Sequence, residues 1–237
     1  MEVSEWGSLG PDEVLAFWFP EDGHEADLEA HRAFWTHRMR GGVDDEIRAR
    51  FGELTEAAAR GFLDHWATTV RGRLALVLVL DQFSRSVWRG TPLAFAQDIR
   101  AARLVLDAFQ NGHYDALRHV WEKAFFLIAI GHCEGPGHME RMDRTTALAR
   151  ALVDEAPEHL RLNYRIVEDQ NRLTRDVIAR FGRHPHRNLT LGRLSTAAEE
   201  AYIAEGAFPH QRKIPATREG AEALLSRSQA FGEDSGT

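Results

Sequence analysis

One segment of the chain is unusually apolar and is followed at once by polar residues. From Arg73 to Arg89 it reads RLALVLVLDQFSRSVWR, and Leu74 to Leu80 are apolar without a break. Because no turn signal separates this run from Asp81, the pattern predicts one helix that is apolar all round and buried at the centre of the molecule. Its polar end is then buried too, and buried charges need partners.

Helical periodicity continues on both sides of this segment. Apolar residues that step by three or four over 43–62 predict an amphipathic helix, and residues 114–130 predict a second buried helix. A further helix over 157–181 has an inward stripe that Asn171 and Thr174 interrupt with hydrogen-bonding groups. No series of segments alternates as strands do. The sequence therefore predicts an all-α fold of antiparallel helices joined by short loops.

Size, charge and cysteine content narrow the class of protein. A chain of 237 residues fits one large domain or two small ones, and we predict a single α-helical domain over 1–237. A net charge of −7 argues against a nucleic-acid-binding surface. One cysteine excludes an internal disulfide, the acidic N-terminus has no signal-peptide core, and no apolar run is long enough for a membrane span. These features predict a cytoplasmic protein without nucleic-acid or membrane partners.

The first candidate site follows the apolar run and contains Asp81, Gln82, Arg85 and Arg89. Asp81, Arg85 and Arg89 step by four, so one helical face carries a carboxylate and two guanidinium groups. One interpretation is an internal ion pair that ties helices together. The other is that Arg85 or Arg89 also binds a ligand carboxylate or phosphate, which the planar guanidinium suits.

The second candidate site is a dense cationic stretch, from which we select Arg183, His184, His186, Arg187 and Asn188 as ligand-binding or proton-transferring residues. Pro185 favours an extended backbone at His184, so the two histidines are expected to point the same way. The alternative is a solvated helix end, where positive charge is favourable and Gly182 fits the position after the last helical residue.

The third candidate site is the glycine-rich turn GHCEGPGH, which carries His132, Cys133, Glu134 and His138. A histidine near a carboxylate suits general acid/base chemistry. Cys133 is a candidate ligand-binding residue or nucleophile, although a lone cysteine is more often a small buried hydrophobe. Metal binding by the histidines and Glu134 is an alternative, but the spacing matches no standard site. No cofactor-binding motif occurs, so no cofactor is predicted.

Three of these stretches resemble one family. LDQFSRSVWRGTPLAFAQD over 80–98, HCE over 132–134 and RFGRHPHRNLTLGRLST over 180–196 are similar to motifs of the bacterial family known as domain of unknown function 924, or DUF924. The resemblance extends over 11–215 and leaves 216–237 as a C-terminal extension. It implies an α-helical right-handed solenoid like that of tetratricopeptide repeats.

The chain departs from the pattern of that family at several polar positions. Serines replace proline and asparagine at Ser84 and Ser86, and the remaining departures are Gly131, Cys133, Gly135, Thr174 and His184. The arginines of the two long motifs are kept. This combination suggests, as a hypothesis, a divergent member whose ligand or reaction differs from that of its relatives.

Two functions follow from these candidate sites. If Asp81 and Arg85 converge with the His184–Asn188 stretch on one cavity, the protein is a cofactor-free enzyme that acts on a small anionic molecule. His132, Glu134, His184 and His186 would then transfer protons. The alternative is a non-catalytic helical scaffold that binds a small ligand or a partner protein. A homodimer built on the apolar stripes is a third interpretation.

Overall fold

A computed structural model of the chain describes residues 9–215 and 217–233, which form helices and loops without any strand. The predicted all-α class is confirmed. None of the described helices combines the length and the apolar character that a membrane crossing requires. The α-helices are α1 (Pro11–Trp18), α2 (Leu28–Met39), α3 (Asp44–Ala59), α4 (Val70–Leu78), α5 (Ser84–Val87), α6 (Asp98–Gln110), α7 (Val120–His132), α8 (His138–Glu155), α9 (Arg161–Phe181), α10 (Ala197–Glu205) and α11 (Arg218–Glu233).

The chain divides into two compact units. The first unit comprises Met1–Asp22 and Arg38–Cys133, and the second comprises Gly23–His37 and Glu134–Thr237. As far as the structure describes them, the first unit contains α1 and α3 to α7, and the second contains most of α2 and α8 to α11. The single-domain organisation and the solenoid implied by the family resemblance stay predictions.

The predicted buried helix is the core of the first unit. A π-helical turn, Val79–Phe83, joins α4 to α5, so one helical run continues from Val70 to Val87. Its hydrophobic residues from Leu74 to Phe83 are at most 1% exposed, which confirms the prediction. The Phe83 ring lies 5.0 to 6.0 Å from the rings of Phe17, Trp18 and Phe51, measured between ring centroids. These aromatic contacts make the run inaccessible to water.

Helix α3 runs antiparallel to this central run. The Phe51 ring contacts Phe83, and one turn earlier in α3 the Arg48 guanidinium donates to the carbonyl of Ser86 at 3.0 Å. On another side of the run, α6 packs against the π-helical turn and against α7. The polar residues that follow the apolar run are therefore enclosed by three neighbouring helices.

In the second unit, α8 and α9 form an antiparallel hairpin. The Arg175 guanidinium near the end of α9 lies 2.6 Å from the Asp143 carboxylate near the start of α8. Helix α11 packs on the other side of α9, where Leu162 and Ile166 form a small apolar cluster with neighbouring helices. Helix α9 is therefore packed on two sides, and its C-terminal end leads into the cationic stretch.

The glycine signal at the end of α9 is confirmed, and the next helix begins with a side-chain cap. Gly182 ends α9 with φ +70°, a left-handed conformation that favours glycine. Thr196 caps α10, because its hydroxyl accepts the backbone N–H of Glu199 at 3.3 Å and its own N–H donates to the Glu199 carboxylate at 2.8 Å. The segment between them is a loop, apart from a short 3₁₀ turn at Pro185–Arg187.

Candidate functional site

The first unit contains a histidine–carboxylate pair. Asp81 lies in the π-helical turn and is fully buried, and its Oδ1 atom is 2.9 Å from Nδ1 of His132 at the end of α7. The His132 side chain is 28% exposed. A buried carboxylate thus holds one nitrogen of a histidine whose ring remains partly accessible from outside.

Arg85 joins this pair to a third helix. Its guanidinium lies 3.2 Å from the Asp81 carboxylate and 2.8 Å from that of Asp98 in α6. Burial alone would raise the pKa of Asp81, but Arg85, His132 and the Gln82 amide hold that pKa well below its ordinary value. Asp81 is therefore ionised at neutral pH.

This arrangement determines which nitrogen of His132 can act as a base. An ionised carboxylate only accepts hydrogen bonds, so Nδ1 of His132 carries the proton that it donates to Asp81. Proton exchange at the ring then takes place at Nε2. The two carboxylates exceed the single guanidinium by one negative charge, and a proton taken up by His132 neutralises this excess.

The π-helical turn gives these side chains their positions. A π-helical turn breaks the regular i→i+4 pattern, so carbonyl groups inside it need other donors. The Ser84 hydroxyl donates to the Leu80 carbonyl at 2.7 Å, and the Arg85 guanidinium donates to the Asp81 carbonyl. Ser84 and Arg85 thus support the turn, in addition to the contact of Arg85 with two carboxylates.

Three further predicted residues lie in the same unit. The Gln82 amide donates to Asp81 at 2.5 Å. Arg89 is paired with Asp44 through Nε and Nη2, at 2.5 and 2.9 Å, and its side chain is 56% exposed. Cys133 is 6% exposed and ends the unit in an extended conformation. Arg89 lies two residues beyond the end of α5 at Val87, so the predicted face with a step of four ends at Arg85, and the prediction was wrong for Arg89.

In the second unit, Glu134 organises the loop of the cationic stretch. Its carboxylate accepts the backbone N–H of His184 at 2.7 Å and pairs with the Arg193 guanidinium. Arg193 also donates to the carbonyl of His184 at 3.0 Å and to the amide oxygen of Asn188 at 3.0 Å. The role of Glu134 as an acid/base partner of His132 stays a prediction.

The other predicted residues of this loop are also bonded or buried. Arg183 forms a two-point ion pair with Glu199, at 2.6 and 2.8 Å, and this hydrogen bonding lowers the pKa of Glu199 to about 2. The Asn188 amide donates to the hydroxyl of Ser195 at 2.9 Å. Arg187 is only 4% exposed. The cationic stretch is therefore a cross-linked loop and not a solvated helix end.

Four histidine rings form a row in the second unit. The His138 ring lies 5.4 Å from that of His184, which lies 5.5 Å from that of His186, and His186 is 4.3 Å from His210. His184 has the extended backbone expected before proline, and its ring neighbours that of His186 as predicted. His138 and His210 were not predicted to extend this pair.

Asn171 and Thr174 use their side chains within α9. The Asn171 amide donates to the carbonyl of Val167 at 2.9 Å, and the Thr174 hydroxyl donates to that of Gln170 at 2.8 Å. Both bonds reach back one turn along the same helix. Their role as ligand-binding residues stays a prediction.

The second unit also contains two neighbouring buried histidines, His24 and His31, that were not predicted as a pair from the sequence. His31 is fully buried, and its Nε2 atom accepts the indole N–H of Trp35 at 3.2 Å, while its Nδ1 atom lies 3.1 Å from Nδ1 of His24. Because the tryptophan nitrogen can only donate, the proton of His31 is on Nδ1 and is donated to His24. Burial lowers the pKa of His31 to about 3, and the neighbouring His24 contributes.

This low pKa makes the stability of the protein depend on pH. The unfolded chain binds a proton at His31 below about pH 6.5, whereas the folded protein does so only near pH 3. We therefore expect the free energy of unfolding to fall as the pH falls through this window, by about 2 kcal/mol between pH 6.5 and pH 5. Urea unfolding at pH 7, 6 and 5 measures this loss.

Two substitutions in α2 distinguish the contribution of His31 to this pH dependence from the contributions of other groups that titrate in the same range. His31→Gln should give a shallower decline than the wild type, and His37→Gln, at an exposed position of α2, should keep the full decline. Parallel pH profiles of the wild type and His31→Gln would contradict this assignment.

The structure thus brings together Asp81, Gln82, Arg85 and His132 in one unit, and Glu134, His184 and Asn188 in the other. The convergence of both groups on one cavity stays a prediction. The acidic partners Asp44, Asp98 and Glu199 and the cation Arg193 were missed as site residues. Asp98 and Arg193 had a sequence signal, because they lie within the two long motifs over 80–98 and 180–196.

Its helical fold and its histidine–carboxylate pair place the chain among all-α proteins with a buried, charge-paired polar site. The sequence model of the bacterial proteins of unknown function called DUF924 matches residues 14–207, and the chain belongs to this family. A protein of unknown function from Agrobacterium tumefaciens has a similar structure, with a TM-score of 0.62 and 29% sequence identity over 83% of this chain and 97% of that one. No curated protein matches.

Proposed function

We propose that the protein is a cofactor-free enzyme that acts on a small anionic substrate by acid/base chemistry at His132. The supporting observation is the pair formed by fully buried Asp81 and partly exposed His132, at 2.9 Å. Asp81 holds the tautomer in which Nε2 is the base, and it compensates the charge that protonation creates. This is the arrangement required of a general base that later returns the proton.

Arg89 is the residue that best supports an anionic substrate. Its side chain is 56% exposed, and Asp44 contacts only its Nε and Nη2 atoms. The helical run ends at Val87, two residues before Arg89, and the six steps from Asp81 to Val87 correspond to a rise of about 9 Å. A carboxylate or phosphate held by Arg89 would therefore belong to a substrate that is extended along this face, with its reacting end at His132.

A search for consumed metabolites tests this proposal. Purified protein is incubated with a small-molecule extract of bacterial cells, and mass spectrometry of negative ions identifies compounds that disappear and products that form. We expect the wild type and His65→Gln, an exposed histidine of the same unit, to convert the same compound. His132→Gln should convert it at least about 100-fold more slowly, because general acid/base catalysis contributes roughly that factor or more.

Two results of the same assay would contradict the proposed catalytic function. The proposal is wrong if folded His132→Gln converts the compound as fast as the wild type, or if the wild type changes no anionic compound. Circular dichroism of each variant establishes that it is folded before rates are compared.

A non-catalytic scaffold is the second candidate, and one observation favours it. Leu189 and Leu194 are 94% and 92% exposed in the loop that Arg193 cross-links. Large apolar side chains that are presented so fully are common in surfaces that bind other proteins. A partner that co-purifies in stoichiometric amount, and is lost when both leucines are changed to serine, would support the scaffold.

A further inference from the structure

The second unit contains a cavity that none of the predicted site residues lines. It is a groove of about 400 Å³ between the C-terminal half of α9, the end of α10 and the segment after it. Its apolar lining consists of Leu173, Val177, Phe181, Tyr202, Phe208 and Pro209. This volume is within the range of sites that bind small molecules.

Three aromatic rings form one wall of the groove. The ring centroid of Tyr202 lies 5.1 Å from that of Phe181 and 5.4 Å from that of Phe208. Because these rings pack against one another, their positions are set before any ligand arrives. The wall offers a rigid apolar surface to the body of a ligand.

Tyr202 brings an unused hydrogen-bond donor to this wall. The residue is 8% exposed, and its hydroxyl makes no hydrogen bond to any residue that the structure describes. Burial raises the pKa of the phenol, so the hydroxyl is protonated at neutral pH and can donate. A buried hydroxyl without an acceptor is costly, and a ligand acceptor would remove that cost.

Arg180 provides a positive charge at the same groove. It is exposed, lies one helical turn after Asp176 on α9, and has no ion pair among the described residues. Its guanidinium lies 4.8 Å from the centroid of the Phe181 ring. Burial raises the pKa of Tyr202, Arg180 opposes this rise and Glu205 adds to it, so charges of both signs act on the phenol. The other charged residues of the lining are in ion pairs, Asp176 with Arg172 and Arg212 with Asp169, which leaves Arg180 to attract an anion.

We propose that this groove binds a small organic acid with an apolar body, whose carboxylate accepts hydrogen bonds from the Tyr202 hydroxyl and the Arg180 guanidinium. The apolar lining takes the body of the acid, and the two donors take its charged end. A medium-chain or aromatic acid fits both the volume and the chemistry. This proposal uses no residue of the histidine–carboxylate pair, so its test is independent of the proposed catalytic function.

Octanoate and octanol are matched probes, since they share a hydrocarbon chain and differ in charge. Titration calorimetry of the full-length protein should show saturable binding of octanoate and at least about tenfold weaker binding of octanol. The factor follows from a charge-assisted hydrogen bond, for which a tenfold change in affinity corresponds to about 1.4 kcal/mol. Equal affinities, or no saturable binding of octanoate at millimolar concentration, would overturn the proposal.

Two variants assign the binding to the named donors. Tyr202→Phe keeps the ring and removes the hydroxyl, and Arg180→Gln removes an exposed charge. Each should weaken octanoate binding about tenfold. Arg103→Gln, an exposed arginine of the first unit, should leave the affinity unchanged.

The melting temperature separates a ligand-binding hydroxyl from a structural one. Tyr202→Phe removes a buried donor that has no acceptor, so the ligand-free variant should melt no lower than the wild type. Unchanged octanoate affinity in both variants would overturn the assignment. If Tyr202→Phe does not fold, Arg180→Gln still decides, because the Arg180 side chain is exposed and its loss leaves no cavity in the core.

Discussion

Asp81→Asn is expected to lower the free energy of unfolding by about 3 kcal/mol at pH 7, because removing one member of a buried ion pair leaves the other uncompensated. The substitution preserves shape and removes a fully buried charge that contacts Arg85 and His132. Asp98 still contacts Arg85, which keeps the loss at the lower end of the usual range. Urea unfolding of wild type and variant measures the difference.

The pH dependence of this difference identifies its origin. The folded protein holds the pKa of Asp81 below its ordinary value, so the stabilisation is complete above the unfolded pKa near 4. This stabilisation is lost as the pH falls through the lower pKa of the folded state. The free energies of unfolding of the wild type and Asp81→Asn should therefore converge in that range. Asp115→Asn, at an exposed position of the same unit, should change stability by less than about 0.5 kcal/mol. A small effect of Asp81→Asn at pH 7 would show that the ion pairs contribute little.

Phe83→Ala should cost about 3–5 kcal/mol, the usual result of removing a fully buried aromatic ring. Phe83 has no exposed surface, and its ring contacts those of Phe17, Trp18 and Phe51. These neighbours belong to α1 and α3, two helices that pack against the central run, so their collapse into the empty space is restricted. The free energy of unfolding in urea at pH 7 is the measurement.

Phe62→Ala is the matched control in the same unit. Its side chain is 57% exposed, so its removal should cost less than about 1 kcal/mol. Equal losses for the two variants would mean that the aromatic cluster packs loosely, contrary to the ring contacts seen in the structure.

The central run shows which parts of the fold the pattern of apolar residues predicts. Leu74 to Leu80 are too apolar to lie at a surface, and this alone predicted their burial. The π-helical turn at Val79–Phe83 was not predicted, because no proline or glycine marks it in the sequence. Its backbone is held by Ser84 and Arg85, and serine and arginine also occur in regular helices. A local pattern therefore predicted the helix but not its irregularity.

The candidate site was predicted where partners lie on one helix and missed where they come from different helices. The spacing of four residues anticipated the contact between Asp81 and Arg85, which depends only on helix geometry. Asp98 ends the first long motif, but the motif does not indicate which residue it contacts, and only the packing of α6 brings it to Arg85. His132 and Glu134 are two residues apart at the end of α7, where the chain becomes extended at Cys133. Glu134 begins the second unit, where its carboxylate accepts the backbone N–H of His184.

The wide turn at Val79–Phe83 also restricts how the length of this segment can vary during evolution. A π-helical turn accommodates one residue more than a regular α-helix would in the same span. Deleting that residue would preserve helicity and hydrophobicity, yet it would rotate everything after it by about 100° around the axis. Arg85 would then face away from Asp98. Insertions and deletions in this segment should accordingly be rarer than in the surrounding loops, even where the inserted or deleted residue is chemically like its neighbours.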